Sequence, residues 1–323
     1  MKNFTDFPLL ESKKKTYPLF YPYISKKSIN GIKNVLNTRW IGQGPLVDYL
    51  EDVFIKKFAK GNKCIAVGSG TDALHLAYIL SNLTKNDEVI APVFTCTATN
   101  IPLLYHDIKI KFADIDPRTM NISLDHVEQL ITKKTKAIIF VNYGGIPCDL
   151  KKLNELKKKH NLILIQDAAQ SLGSKYKGKD IAEYSDFTIY SFQAIKHITS
   201  GDGGILAFKN KGLLEKSRRI RWFGIDRIKK QGGTWENDIK EIGYKYQMTD
   251  IGARLLLDSI KDFSKIISHR KKVFNVYKRM LSKNSNIKVL DTIDKKLTNS
   301  FWLCTIIVNK KRIELQKYLR KYN

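Results

Sequence analysis

The run Leu162-Ile163-Leu164-Ile165-Gln166-Asp167 sets four consecutive aliphatic residues ahead of a carboxylate, and Ala168-Ala169-Gln170 follow it. Four aliphatics with no period of two describe a strand buried on both faces, as in a parallel sheet covered by helices. Asp167 then lies at the carboxyl end of a central strand, where open α/β sheets bind their ligands. A lone buried carboxylate is costly and calls for a cationic partner. The plainer alternative is that Asp167 caps the turn that follows.

The same texture extends outward from this strand. Between Lys63 and Phe208, apolar runs recur at Cys64 to Val67, Glu88 to Pro92, Ile110 to Asp114, Ala137 to Asn142, Phe187 to Tyr190 and Gly204 to Phe208. Helical stripes separate them: Ala73, Leu76, Ala77 and Leu80 at i, i+3, i+4, i+7, and Leu124, Val127 and Ile131 behind the cap candidate Ser123. This alternation predicts an α/β fold, a large, mostly parallel seven-stranded sheet domain with helices on both faces. A helix is expected at Leu213 to Trp222, then a polar, mobile or partner-covered loop from Asp226 to Gly243. Two helical patterns follow, one on Ala253, Leu256, Leu257 and Ile260, the other on Ile267, Phe274, Tyr277 and Leu281. A strand at Phe301 to Val308 and a basic helix at Arg312 to Tyr322 open a smaller α/β domain that looks incomplete, having one convincing strand. The expected division is a large domain over residues 1–245, with the helical connection and partial small domain over 246–323.

Charge and cysteine content exclude several classes. The 323 residues include 57 Lys and Arg against 31 Asp and Glu, a formal net charge of +26. The lysines are scattered over helix faces and loops, Lys13 to Lys15, Lys133 to Lys136, Lys157 to Lys159 and Lys310 to Lys311 among them, rather than gathered in one stripe, which argues against a dedicated nucleic-acid face. Cys64, Cys96, Cys148 and Cys304 form no CxxC pair, so neither a zinc site nor a disulfide framework is expected. Met1 to Leu10 has no continuous apolar stretch, and no run approaches about 18 apolar residues. A cytoplasmic protein with reduced thiols and no membrane partner is expected.

Two further stretches carry chemistry. Residues 190–204, YSFQAIKHITSGDGG, place Lys196 on a short connection between two strands. Burial there disfavours the ammonium and lowers the amine's pKa, which a Schiff-base lysine requires. Gly68-Ser69-Gly70-Thr71 closes another strand and opens a helix, so backbone N–H groups and the positive helix end form an anion site. No GxGxxG can be written there and no Walker lysine is present. A phosphate loop, a carboxylate suited to a pyridinium nitrogen, and a lysine together make a coherent pyridoxal-phosphate site.

With these motifs in place, the chain resembles the DegT/StrS-type, fold type I, pyridoxal-phosphate aminotransferases of nucleotide-linked keto-sugars. The likeness covers nearly the whole chain. It runs through Trp40 to Pro45, GSGTDALHLA from Gly68, DEVIAPVFTCTATN from Asp87 and YGGIPCDL from Tyr143. It continues through QDAAQSLGSKYKGK from Gln166, SFQAIKHITSGDGG from Ser191 and GYKYQMTDIGA from Gly243. The resemblance implies that Lys196 forms the Schiff base with the coenzyme and moves the proton, and that Asp167 pairs with the pyridine nitrogen. It implies that Gln170 faces the phenolic oxygen and that Ser69, Gly70, Thr71 and Ser191 hold the phosphate. Cys96 stands where the family commonly stacks an aromatic ring, so either stacking is weaker here or Phe94 or a neighbour supplies it. Lys245 replaces the Asn that reaches a neighbouring subunit's phosphate, and Asn142 replaces a usual His.

The resemblance further implies a homodimer with shared sites, an amino-acid donor (glutamate), and a nucleotide-linked keto-deoxysugar acceptor in amino-sugar and surface-glycan biosynthesis. One alternative is the dehydratase branch, which carries His where this chain has Lys196. A non-catalytic regulator or nucleic-acid-binding protein on the same scaffold is another. His197, His75, Trp222 and Trp302 read more simply as packing residues. Arg219, Arg221 and Arg227 suit either a nucleotide diphosphate or a solvated helix.

Overall fold

The computed structural model describes residues 18–322, apart from 228, 230–231, 234–238 and 240. The reading of the first ten residues and of Lys13 to Lys15 lies outside the described residues, as does part of the loop expected at 226–243.

Nine strands precede the first long helix of the carboxyl-terminal part: β1 (Lys63–Val67), β2 (Glu88–Pro92), β3 (Lys109–Ala113), β4 (Thr135–Val141), β5 (Ile163–Asp167), β6 (Lys175–Tyr176), β7 (Lys179–Asp180), β8 (Phe187–Ser191) and β9 (Gly204–Phe208). All seven strands expected of the main sheet form, in the order β1-β9-β8-β5-β4-β2-β3. Only β9 runs antiparallel to its neighbours, β1 and β8. The sheet is therefore mostly parallel, as the unbroken aliphatic runs require.

Successive side chains of each strand feed opposite cores. Cys64, Ala66, Ile138, Phe140 and Leu164 face one layer, and Ile65, Val67, Ile139, Ile165 and Ile189 face the other. The first layer receives α2 (Pro45–Phe58), α6 (Leu150–His160) and the first half of α8 (Asp250–Leu281). The second receives α3 (Gly70–Leu80) and α7 (Leu214–Arg221). Each fully buried Leu, Ile or Phe here stabilises the fold by about 1.5–3 kcal/mol. Helices α1 (Ser28–Thr38), α4 (Thr97–Leu104) and α5 (Leu124–Leu130) complete this part. The expected cap forms, the Ser123 hydroxyl accepting from His126 N. Edge strand β3 places Lys109 and Lys111 against Glu88, a charged border that resists pairing with another sheet.

Beyond Phe208 three expectations need correction. The two helical patterns fuse into the single 32-residue α8. No Gly or Pro interrupts the apolar stripe between Ile260 and Ile267, so nothing ends the first helix. Only Ile306–Val308 (β12) of the expected strand 301–308 forms, pairing antiparallel with Ile287–Val289 (β10). Residues 299–303 are an irregular strap instead: Asn299 Oδ1 accepts from Phe301 N, and Phe301 sits at φ +57°. Lastly, the small part has more than one strand, because Leu297–Thr298 (β11) joins β6 and β7 in a second sheet. Two- and three-residue strands leave too short a pattern to read. Helix α9 (Arg312–Arg320) closes the described chain.

Candidate active site

Three strand ends converge on one cavity of about 330 Å³. At the end of β1, Ser69 caps α3, its Oγ accepting from Asp72 N at 3.0 Å. Its side chain is thus spent on the helix while the residue still lines the cavity. Gly70 begins α3 beside the end of β8: a Cβ there would stand 2.9 Å from Cβ of Ser191. Gly204 is equally constrained, since a Cβ would lie 2.3 Å from the Ser69 carbonyl oxygen. Both glycines let the loop close on Ser191, leaving the amides of the helix start facing the hollow.

Asp167 ends β5 and is only 4% exposed. Thr99 Oγ1 donates to its Oδ2 at 2.8 Å, and Ala169 N donates to Oδ1 at 3.0 Å. Thr95 Oγ1 lies 2.7 Å from Thr99 Oγ1, extending the chain toward the cavity wall. The carboxylate is therefore oriented rather than merely capping a turn. Lys196 lies between β8 and β9 on the same cavity. Burial pulls its amine below the usual lysine range, with Asp167 and Cys96 opposing that drop. Its Nζ rests over the Trp302 ring, 4.5 Å from the centroid.

Ser69, Gly70, Thr71, Cys96, Asp167, Gln170, Ser191 and Lys196 all line this one cavity. Gln170 is fixed by Gly144 N, which donates to its Oε1 at 2.7 Å. Lys245 is not brought to it: its Nζ donates to Gln247 Oε1 at 2.8 Å, on the exposed surface beside Phe223. Phe94 does not supply the ring that Cys96 lacks, because it packs on Tyr143 at 5.2 Å and lies off the cavity. Asn142 is wholly buried, donating to Ser171 Oγ and accepting from Cys148 N, a structural role. Among the described residues, no group of three or more His, Cys, Asp or Glu is placed to hold a metal. No described helix is long and apolar enough to cross a membrane.

The sequence profile of the DegT/DnrJ/EryC1/StrS aminotransferase family matches residues 22–323. This chain belongs to that family. It is 32% identical to the GDP-perosamine synthase of Escherichia coli O157:H7 over 310 residues, 94% of this chain and 82% of that enzyme. Its fold superposes on the sugar aminotransferase CalS13 of Micromonospora echinospora with a TM-score of 0.88 at 26% identity, covering 94% and 83% of the two chains. Spr1654 of Streptococcus pneumoniae, solved in PLP and PMP forms, gives 0.88 at 28% identity in the PLP form, covering 94% and 82%. The protein is a PLP-dependent sugar aminotransferase of fold type I.

This aminotransferase's own residues fit that coenzyme. The Gly70–Ser191 cradle offers backbone donors to a phosphate, and an ordered carboxylate and a buried amine line the same hollow. Thr95, Thr99, Gln193 and Asp202 escaped the sequence reading, and Trp302, expected there as a packing residue, also carries Lys196 Nζ over its ring. Thr95 and Thr99 lie in the segment DEVIAPVFTCTATN, whose hydroxyls gain meaning only once Asp167 faces them. His197 turns away from the cavity, its Nε2 donating to the Ser300 carbonyl at 2.9 Å. His75 is buried against His106, Tyr244 and Tyr246. Arg219 and Arg221 are engaged by Glu241 and Glu51, and Arg227 donates to the Gln43 carbonyl.

Proposed function

We propose that this enzyme moves an amino group from glutamate to a nucleotide-linked keto-deoxysugar, in amino-sugar and surface-glycan biosynthesis. It works in the cytoplasm as a homodimer with shared sites. The observation that carries this reading is the single cavity lined by Lys196, Asp167, Gly70 and Ser191.

Each residue has a role that its surroundings support. Pyridoxal phosphate, when bound, supplies an electron sink for the pair left when the donor's Cα–H bond breaks. Asp167, its oxygens already ordered by Thr99 and Ala169, holds the cationic ring nitrogen. Ser191 and the Gly70 and Thr71 amides hold the phosphate. Gln170 and Cys96 line the same cavity, where they would meet the phenolic oxygen and the ring. Lys196 Nζ, biased toward the neutral amine by burial, accepts the Cα proton and returns it. The overall positive charge favours entry of an anionic nucleotide. Lys245 serves the neighbouring subunit's phosphate as a point charge.

The test pairs spectroscopy with product analysis. Purified protein is yellow and loses its band on adding glutamate, and a nucleotide keto-sugar from a test panel gains nitrogen by mass spectrometry. Lys196→Ala abolishes the band and lowers turnover by about 10³-fold or more. Undiminished turnover in that variant overturns the assignment.

A further inference from the structure

The strap at 299–303 is bonded to the loops that carry the site. Ser300 N donates to Gly145 O and Leu303 N to Gly144 O, each at 3.1 Å. The connection holding Lys196 is gripped on both sides: His197 Nε2 donates to Ser300 O at 2.9 Å, and Trp302 Nε1 donates to Ile195 O at 3.2 Å. Between these two bonds, Lys196 Nζ lies over the indole. The ring is 8% exposed and stacked with Phe20 at 5.6 Å.

We propose that Trp302 is a positioning residue for Lys196: its indole face receives the lysine's amino group when that amine is free of the coenzyme and favours its protonated form after it has taken up a proton. The strap thereby sets where the amine rests between the two halves of a turnover. A packing role accounts for the Phe20 stack and the Nε1 bond, but it leaves a cation on the ring face without a reason. The reason is electrostatic: the negative face of an indole attracts a cation, most strongly where water is excluded. The other groups facing the amine are Asp167 and Cys96, which favour the charged form, and Asp202 on the cavity wall. His197 beside it is held neutral by burial, with Arg270 beyond. The functional weight of this inference rests on Lys196 being the coenzyme's lysine, whereas its test reads the amine itself.

Coenzyme-free protein is labelled competitively with acetic anhydride across pH, and the Lys196 peptide is followed by mass spectrometry. Lys209, exposed just past the far end of β9, serves as the internal control. Trp302→Leu lowers the Lys196 midpoint by about one pH unit, and Trp302→Phe recovers part of it. Should Trp302→Leu fail to fold, fluorinated tryptophans incorporated in place of indole weaken the ring face at constant shape. The midpoint then falls stepwise with each added fluorine. A Lys196 midpoint unmoved by fluorination overturns the proposal, even if transamination itself is intact.

Discussion

Thr99 is a small hydroxyl with one consequential partner. Its Oγ1 donates to the buried Asp167 carboxylate, which otherwise keeps only the Ala169 N–H. A hydrogen bond to a charged group contributes about 1.5–3 kcal/mol, and losing it leaves the carboxylate free to turn. Thr99→Val keeps the shape and removes the donor, so coenzyme affinity falls about 10- to 100-fold. Titrating coenzyme absorbance into the apoprotein reads this directly, and Thr99→Ser restores most of the affinity. Asp167 and Lys196 were legible in the sequence because charge beside a buried strand demands an explanation. Thr99 and Trp302 were not, because each acquires its role from a partner 68 and 106 positions away in the chain. Cys96 was legible only as a departure, and what stacks in its place is not Phe94.

At the level of elements, the main sheet was readable because five-residue aliphatic runs buried on both faces have few other fates. Residues 301–305 differ from the expected strand because a continuous apolar run looks alike whether it pairs with a neighbour or lies across loops. Helix α3 couples local structure to pH. His75 on it bonds Tyr246 through Nδ1 and His106 through Nε2, a network that suits the neutral ring. Burial and the neighbouring His106 hold its pKa at about 4, and burial with Arg270 holds that of His197 at about 3. Both lie below the unfolded value near 6.5, so the unfolded chain takes up protons first as pH falls. The contribution of these two histidines is therefore fully present above about pH 7 and declines from roughly 6.5 down to about 3. Urea midpoints measured at pH 7.5 and pH 4.5 should fall accordingly, and His75→Gln should flatten part of the slope. An equal midpoint at both values contradicts the neutral network.

On the scale of the whole molecule, several large apolar side chains stand exposed, Leu104, Tyr105, Phe112 and Phe223 among them. Leu104 and Phe112 border one hollow, Tyr105 and the half-buried Tyr244 both pack on the buried His75, and Phe223 stands beside Lys245. Exposed apolar side chains together with a cationic residue that does not reach its own cavity suit a two-fold interface in which each subunit lends Lys245 to the other. The arrangement has a consequence that a self-contained site lacks. Lys196→Ala inactivates the subunit that carries the coenzyme, whereas Lys245→Glu places a repelling charge at the partner's phosphate. In a mixed dimer, the subunit with intact Lys196 faces the subunit with intact Lys245, and one complete site returns. Random pairing of equal amounts gives about a quarter of the wild-type sites. Co-expressing the two variants under different affinity tags and assaying the doubly selected dimer should recover activity that neither parent shows. If the mixed species matches only the average of its parents, the site belongs to one chain and Lys245 is a solvated surface lysine.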